Sequence, residues 1–155
     1  IDCSIFPASR GHGGLPNFKE DGPSVIKLQN GKTIKELPLN AKNILGKKIV
    51  FSGGGYFRLI PYVIIKKLFE KSNYVMTYFH PRDFDVEQPI IKDLSLIRKF
   101  KSYYGLGSAQ DKLEKLLKDF DFIDVRTAVD NINWSIKPEY TLAHLSNAND
   151  SLLKY

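Results

Sequence analysis

Cysteine is almost missing. Cys3 stands alone in 155 residues, which excludes an internal disulfide framework and an all-cysteine metal site. Histidine is scarce as well: His12, His80 and His144 lie too far apart for a His-x-x-x-His metal pair. Long apolar runs are lacking too. None approaches the roughly 18 residues that a membrane-spanning helix needs, so no membrane span is expected. The chain starts at Ile1 rather than Met, without the charged and then apolar pattern of a signal peptide. It therefore reads as a processed or truncated product, and a cytoplasmic one.

What is present is ordinary for a folded domain. Hydrophobic residues make up 43% and charged residues 26%, which argues against disorder and fits one domain or a piece of one. Lys plus Arg number 23 and Asp plus Glu 17, for a net charge of +6. That balance invites nucleic acid as a partner. The lysines come in small groups such as Lys47-Lys48 and Lys66-Lys67, however, broken by apolar residues as on solvated helix faces. No recognition helix or RNP-like signature accompanies them, so no nucleic-acid partner is expected.

Residues 1–24 are punctuated by Pro7, Gly11, Gly13, Gly14, Pro16, Gly22 and Pro23 and read as loop. Ser24–Gln29 and Lys32–Leu37 read as a hairpin about an Asn30-Gly31 turn, with Ile26 and Leu28 on the core side. Lys48–Ser52 reads as a buried strand ending in Gly53-Gly54-Gly55. A helix is expected over Pro61–Lys71, with Tyr62, Ile65, Leu68 and Phe69 on one face. Tyr74–His80 reads as a strand stopped by Pro81. Helices are expected over Ser95–Tyr104 and Ala109–Asp121, the second capped by Ser108, and Phe122–Arg126 reads as a last strand. Strand–helix–strand alternation predicts an α/β fold with parallel strands, where sites collect at carboxyl ends of strands. Two segments sit at such ends: Ser52–Arg58 and His80–Asp85.

The triple glycine would let a ligand or another backbone come close. It lacks the Lys-Ser/Thr of a phosphate loop and the third glycine of a dinucleotide fingerprint, so nucleotide binding has little support. His80 ends an apolar strand and is followed by Pro81, Arg82, Asp83 and Asp85. An imidazole beside a carboxylate could donate a proton in a transition state. The same position also suits a histidine that only ties down the next loop. Asp83, Asp85 and Glu87 could form a carboxylate pair, although caps and solvated charges are commoner in such a loop. Cys3 has no adjacent base and makes a poor nucleophile.

Four segments, in order, bring a family into view: Asp2–Pro7, Gly53–Pro61 (GGGYFRLIP), Phe79–Asp85 (FHPRDFD) with Gln88-Pro89, and Lys115–Phe120. Together they resemble the polysaccharide deacetylase (NodB-homology, carbohydrate esterase) family, in the branch with a characteristic C-terminal extension. The resemblance implies the second half of a distorted (β/α)7 barrel, incomplete as a stand-alone chain, over residues 1–129. Residues 130–155 would be the terminal extension. It implies hydrolysis of N-acetyl groups from amino sugars, with an N-acetylated glycan as partner. In the family an Asp and two His hold a divalent metal, usually zinc, which polarises the amide. A second Asp activates water and a late histidine protonates the leaving amine.

His80 matches that late histidine, and Asp83 or Asp85 would orient it. Phe6, His12, Gly54, Gly55, Tyr56 and Arg58 would face the sugar. The departures are Phe79, where an aliphatic residue usually precedes the histidine, and the early motifs. The chain has no Asp-Asp, no His-x-x-x-His and no Arg-x-Pro. No metal is thus expected from this chain alone, and its partner would be the missing N-terminal half or a second copy. The alternative is a non-catalytic carbohydrate-binding module in which Tyr56, Phe57, Tyr78, Phe79 and Phe84 stack on sugar rings.

Overall fold

A computed structural model describes residues 1–8, 14–15, 18, 22–44 and 46–141. The chain divides into two compact units. The first takes in Ile1–Val50, Tyr74–Met76 and Ile123–Tyr155, and the second Phe51–Asn73 and Thr77–Phe122. Among the described residues no helix is long and apolar enough to cross a membrane.

In the first unit, β1 (Ser24–Lys27) and β2 (Thr33–Glu36) form the expected antiparallel hairpin, with Ile26 opposite Ile34. The strands are shorter than the sequence suggested. Leu28 N–H donates to Lys32 O, Gly31 N–H donates to Leu28 O, and Asn30 Oδ1 accepts from Lys32 N–H. These bonds close a longer loop than a two-residue turn. A third strand, β5 (Glu139–Thr141), lies parallel to β1, giving the order β2-β1-β5. Ile26 is buried with Ile5 and Phe18, and Leu15, Ile34 and Tyr140 pack around them.

A second hairpin joins β3 (Lys42–Ile44) to β4 (Lys47–Ile49). The strand expected over Lys48–Ser52 thus ends at Ile49, and Val50, Phe51 and Ser52 continue as buried backbone outside that ladder. Ala8, Leu39, Ala41 and Val50 form a second apolar cluster with Phe6 and Met76 against it. The expected strand Tyr74–His80 forms no ladder. Its start is held by a side chain: Asn40 Nδ2 donates to Tyr74 O at 2.7 Å and Asn40 Oδ1 accepts from Met76 N–H at 2.7 Å. One asparagine amide imitates a neighbouring strand there, satisfying groups a ladder would otherwise satisfy.

The segment expected as a strand, Phe122–Arg126, is a correction. It leads into α5 (Val125–Asn131), because Asp124 caps the helix by accepting from Thr127 N–H and Thr127 Oγ1. Trp134 then ties back, its Nε1 donating to Val129 O at 2.8 Å. Among the described residues of this unit Glu36 is the most buried charged one, at 1% exposure, and its Oε1 accepts from Ile5 N–H. Burial, then the nearby Asp2, pushes its carboxyl up to about 7, against the lowering effect of the Ile5 bond.

The second unit holds four helices: α1 (Gly54–Leu59), α2 (Tyr62–Glu70), α3 (Leu96–Tyr103) and α4 (Leu106–Asp119). Its interior is made by Phe51, Phe57, Ile65, Phe69, Leu106, Ala109 and Leu116, all buried. Phe69 meets Phe51 edge-on at 5.7 Å and Phe120 at 5.3 Å. α2 runs as Pro61 and its apolar spacing predicted, burying Ile65 and Phe69. α4 starts before Ser108. Gly105, at φ +75°, turns the chain directly into it.

Candidate functional site

The site is built where the first turn of α1 and the segment Tyr78–Asp83 pass each other in the second unit. Gly53 forms an isolated parallel bridge with Tyr78, and Tyr78 N–H donates to Ser52 O at 3.3 Å. A Cβ on residue 53 would lie 1.9 Å from Tyr78 O, so only glycine permits this approach. Here the triple glycine has a definite task. Its first member admits a second backbone, while Gly54 and Gly55 open α1.

Past Tyr78, Phe79 turns inward against Phe57 at 4.8 Å and Phe84 at 5.4 Å. Residues on either side of Phe79 then point the other way. Tyr78 and His80 are both exposed, and their rings meet nearly edge-to-face at 4.7 Å. Tyr56 is likewise exposed, at 42%. The aromatic residues thus sort into two sets. Phe79 packs on both Phe57 and Phe84, whereas Tyr56 and Tyr78 are exposed.

Pro81 starts a single 3-10 turn, Pro81–Asp83, at the head of which His80 sits in extended conformation. Asp83 is 5% exposed and its Oδ2 accepts from His80 N–H at 3.0 Å, while Asp83 N–H donates to His80 O at 2.8 Å. The two residues lock each other's backbone, and the His80 side chain is exposed. Asp83 Oδ1 faces Arg58 Nε at 3.6 Å, an ion pair with both side chains buried. Asp85 is placed differently: it is exposed and its Oδ1 accepts from Glu87 N–H at 3.0 Å. Of the two candidate carboxylates, Asp83 is the one bound to His80.

Arg58, expected on the sugar side, is buried on α1. Its Nη1 donates to Ser102 O at 2.7 Å and its Nη2 to Lys101 O at 3.0 Å. Burial pulls the guanidinium down from its ordinary value and Asp83 opposes that pull. Phe6 belongs to the first unit, where it packs on the cluster of Ala8, Leu39, Ala41 and Val50. His12 and His144 lie outside the described residues. Cys3 is half-buried, and burial, then Glu36 and Asp2, push its thiol up, away from the reactive thiolate.

One residue escaped sequence reasoning altogether. Lys112 of α4 reaches the end of α1, where its Nζ donates to Arg58 O at 2.6 Å and Ile60 O at 2.9 Å. Nothing in the local sequence separates it from the other lysines of an exposed helix.

Among the described residues no three His, Cys, Asp or Glu side chains come together as metal ligands. Asp83 has one oxygen on the His80 N–H and the other facing Arg58, which leaves a poor donor set. The described residues do not fit a divalent metal.

A family model described as Domain of unknown function (DUF3473) matches residues 3–130. The chain belongs to this DUF3473 family. No curated protein and no solved structure matches the chain. The matched span includes Gly53–Tyr56, Arg58, His80 and Asp83 and stops short of β5.

Proposed function

We propose that this chain is the C-terminal part of a metal-dependent deacetylase that hydrolyses N-acetyl groups of amino sugars in a polysaccharide or glycan precursor. On this reading it supplies the second half of a distorted (β/α)7 barrel. The observation that supports it most is the setting of His80. Its imidazole is exposed beside Tyr78, and its backbone is locked to a buried carboxylate. That is what a proton donor requires: a fixed main chain and a ring that substrate can reach. The parallel bridge between Gly53 and Tyr78 brings the two motif segments side by side. The segments GGGYFRLIP and FHPRDFD resemble the late motifs of the deacetylases.

In the reaction, His80 gives its proton to the amide nitrogen as the carbon–nitrogen bond breaks, so that a neutral amine leaves. Tyr78 lies nearly edge-to-face beside the ring at 4.7 Å. The divalent metal, zinc as first choice, belongs to residues outside this chain. The test is deacetylation of N-acetylated amino-sugar oligomers by the complete protein. His80→Ala should lower kcat by about 10²–10⁴-fold, the usual contribution of a positioned acid. An unchanged rate in that variant would overturn the assignment.

A second reading, a non-catalytic carbohydrate-binding module, draws on the exposure of Tyr56 and Tyr78. It predicts glycan binding by the 155-residue chain that Tyr78→Ala abolishes, with no acetate released by the complete protein.

A further inference from the structure

We propose that Arg58 is a positioning residue for His80, acting through Asp83, and that it does not contact the sugar. This rests on the reading of His80 as the proton donor. A guanidinium has five N–H donors in a rigid plane and no acceptor. Those of Arg58 face inward. Nη1 donates to Ser102 O at 2.7 Å and to Tyr104 O at 3.4 Å, and Nη2 donates to Lys101 O at 3.0 Å. These are carbonyls at the end of α3, which an α-helix leaves without internal partners. The side chain is 5% exposed, and a sugar hydroxyl would have to displace a carbonyl to reach it.

The third edge of the plane points at the site. Arg58 Nε is buried with no hydrogen-bond partner and sits 3.6 Å from Asp83 Oδ1. A charge-assisted hydrogen bond would need about 2.7–2.9 Å, so the contact is a Coulombic one with slack. Asp83 in turn holds the His80 N–H through Oδ2. A buried carboxylate without its cation is strongly disfavoured. Removing Arg58 would drive Asp83 toward water and release the His80 main chain. The exposed Arg82 is too well solvated to replace it. The chain of influence therefore runs from the α3 end through Arg58 and Asp83 to His80, every link lying within the second unit.

Two measurements test this. In the complete protein, Arg58→Met should lower kcat roughly tenfold or more with KM held within about twofold, and Arg58→Lys should recover part of the loss. A raised KM with unchanged kcat would place Arg58 on the substrate and overturn the proposal. In the complete protein, amide hydrogen exchange at His80 should speed up roughly tenfold in Arg58→Met and in Asp83→Ala. The double variant should be no faster than either alone, since the two act as one unit. The Leu116 amide of α4 is the internal control. If Arg58→Met does not fold, Arg58→Lys gives the same comparison at smaller amplitude. A protected His80 amide in a folded Arg58 variant overturns the proposal. The exchange result needs no activity, so a His80→Ala protein with full rate would sink the acid role and leave this link standing.

Discussion

Glu36 keeps a proton that an exposed glutamate would lose. Its carboxyl rises from the ordinary 4.5 to about 7 because it is buried. Between those values the folded chain holds a proton that the unfolded chain has released, so stability falls as pH rises through this window. Denaturant midpoints measured from pH 4 to 8 should decline across it, and Glu36→Gln should flatten that decline. A Glu36→Gln protein with the same slope would show that other groups are responsible. At Gly53 the argument is purely steric. A methyl group 1.9 Å from Tyr78 O must push two backbones apart, so Gly53→Ala should destabilise the second unit by about 1–3 kcal/mol. Thermal unfolding measures it directly.

Among the elements, α1 is the short helix whose end most needs help. Its final carbonyls are met by Lys112, and burial pulls that ammonium below its ordinary value. Lys112→Met keeps the aliphatic stem but leaves those carbonyls unpaired. It should cost about 1–3 kcal/mol in chemical denaturation; a neutral result would mean that water replaces the ammonium freely. Lys112 also shows where sequence reading stops. α2 was legible because Pro61 and the spacing of Ile65 and Phe69 are local signals. α3 falls within the expected helix Ser95–Tyr104, and its cap at Ser95, whose side chain accepts from Arg98 N–H, emerges only in the structure. The start of α4 was missed because Ser108 looked like a cap, whereas the left-handed Gly105 begins the helix. A helix was hidden at Phe122–Arg126, since its Asp124 cap sat inside an apolar run that resembled a strand. The sequence left Asp83 and Asp85 open as the carboxylate beside His80, and the turn at Pro81–Asp83 selects Asp83. Arg58 and Asp83 could not be paired from sequence, because their pairing is a tertiary event.

For the whole molecule, the decisive arrangement is that the second unit is spliced into the first. Residues 51–73 and 77–122 sit between segments that form one sheet, whose third strand, β5, begins at Glu139. Nothing in the short, polar Glu139-Tyr140-Thr141 announced a strand. Yet Val25 N–H donates to Pro138 O and the Tyr140 ring lies 5.2 Å from Phe18. Ending the chain after Lys137 should therefore expose the β1 edge. Amide exchange at Val25 should rise toward the unprotected rate while that at Leu116, in the second unit, holds. Equal protection at Val25 in both chains would make β5 dispensable.

That splicing also has a consequence for synthesis. A ribosome releases residue 122 well before residue 141, a gap of 141 − 122 = 19 residues. At about 5–20 residues per second this is about 1–4 s. The unit bearing His80 can close during that interval, using only what has already emerged. The hairpin bearing Ile26 must wait for its last strand, with one edge open to any extended chain nearby. The nascent chain is thus open to mispairing between the emergence of residue 122 and that of β5, in the unit that lacks the candidate acid.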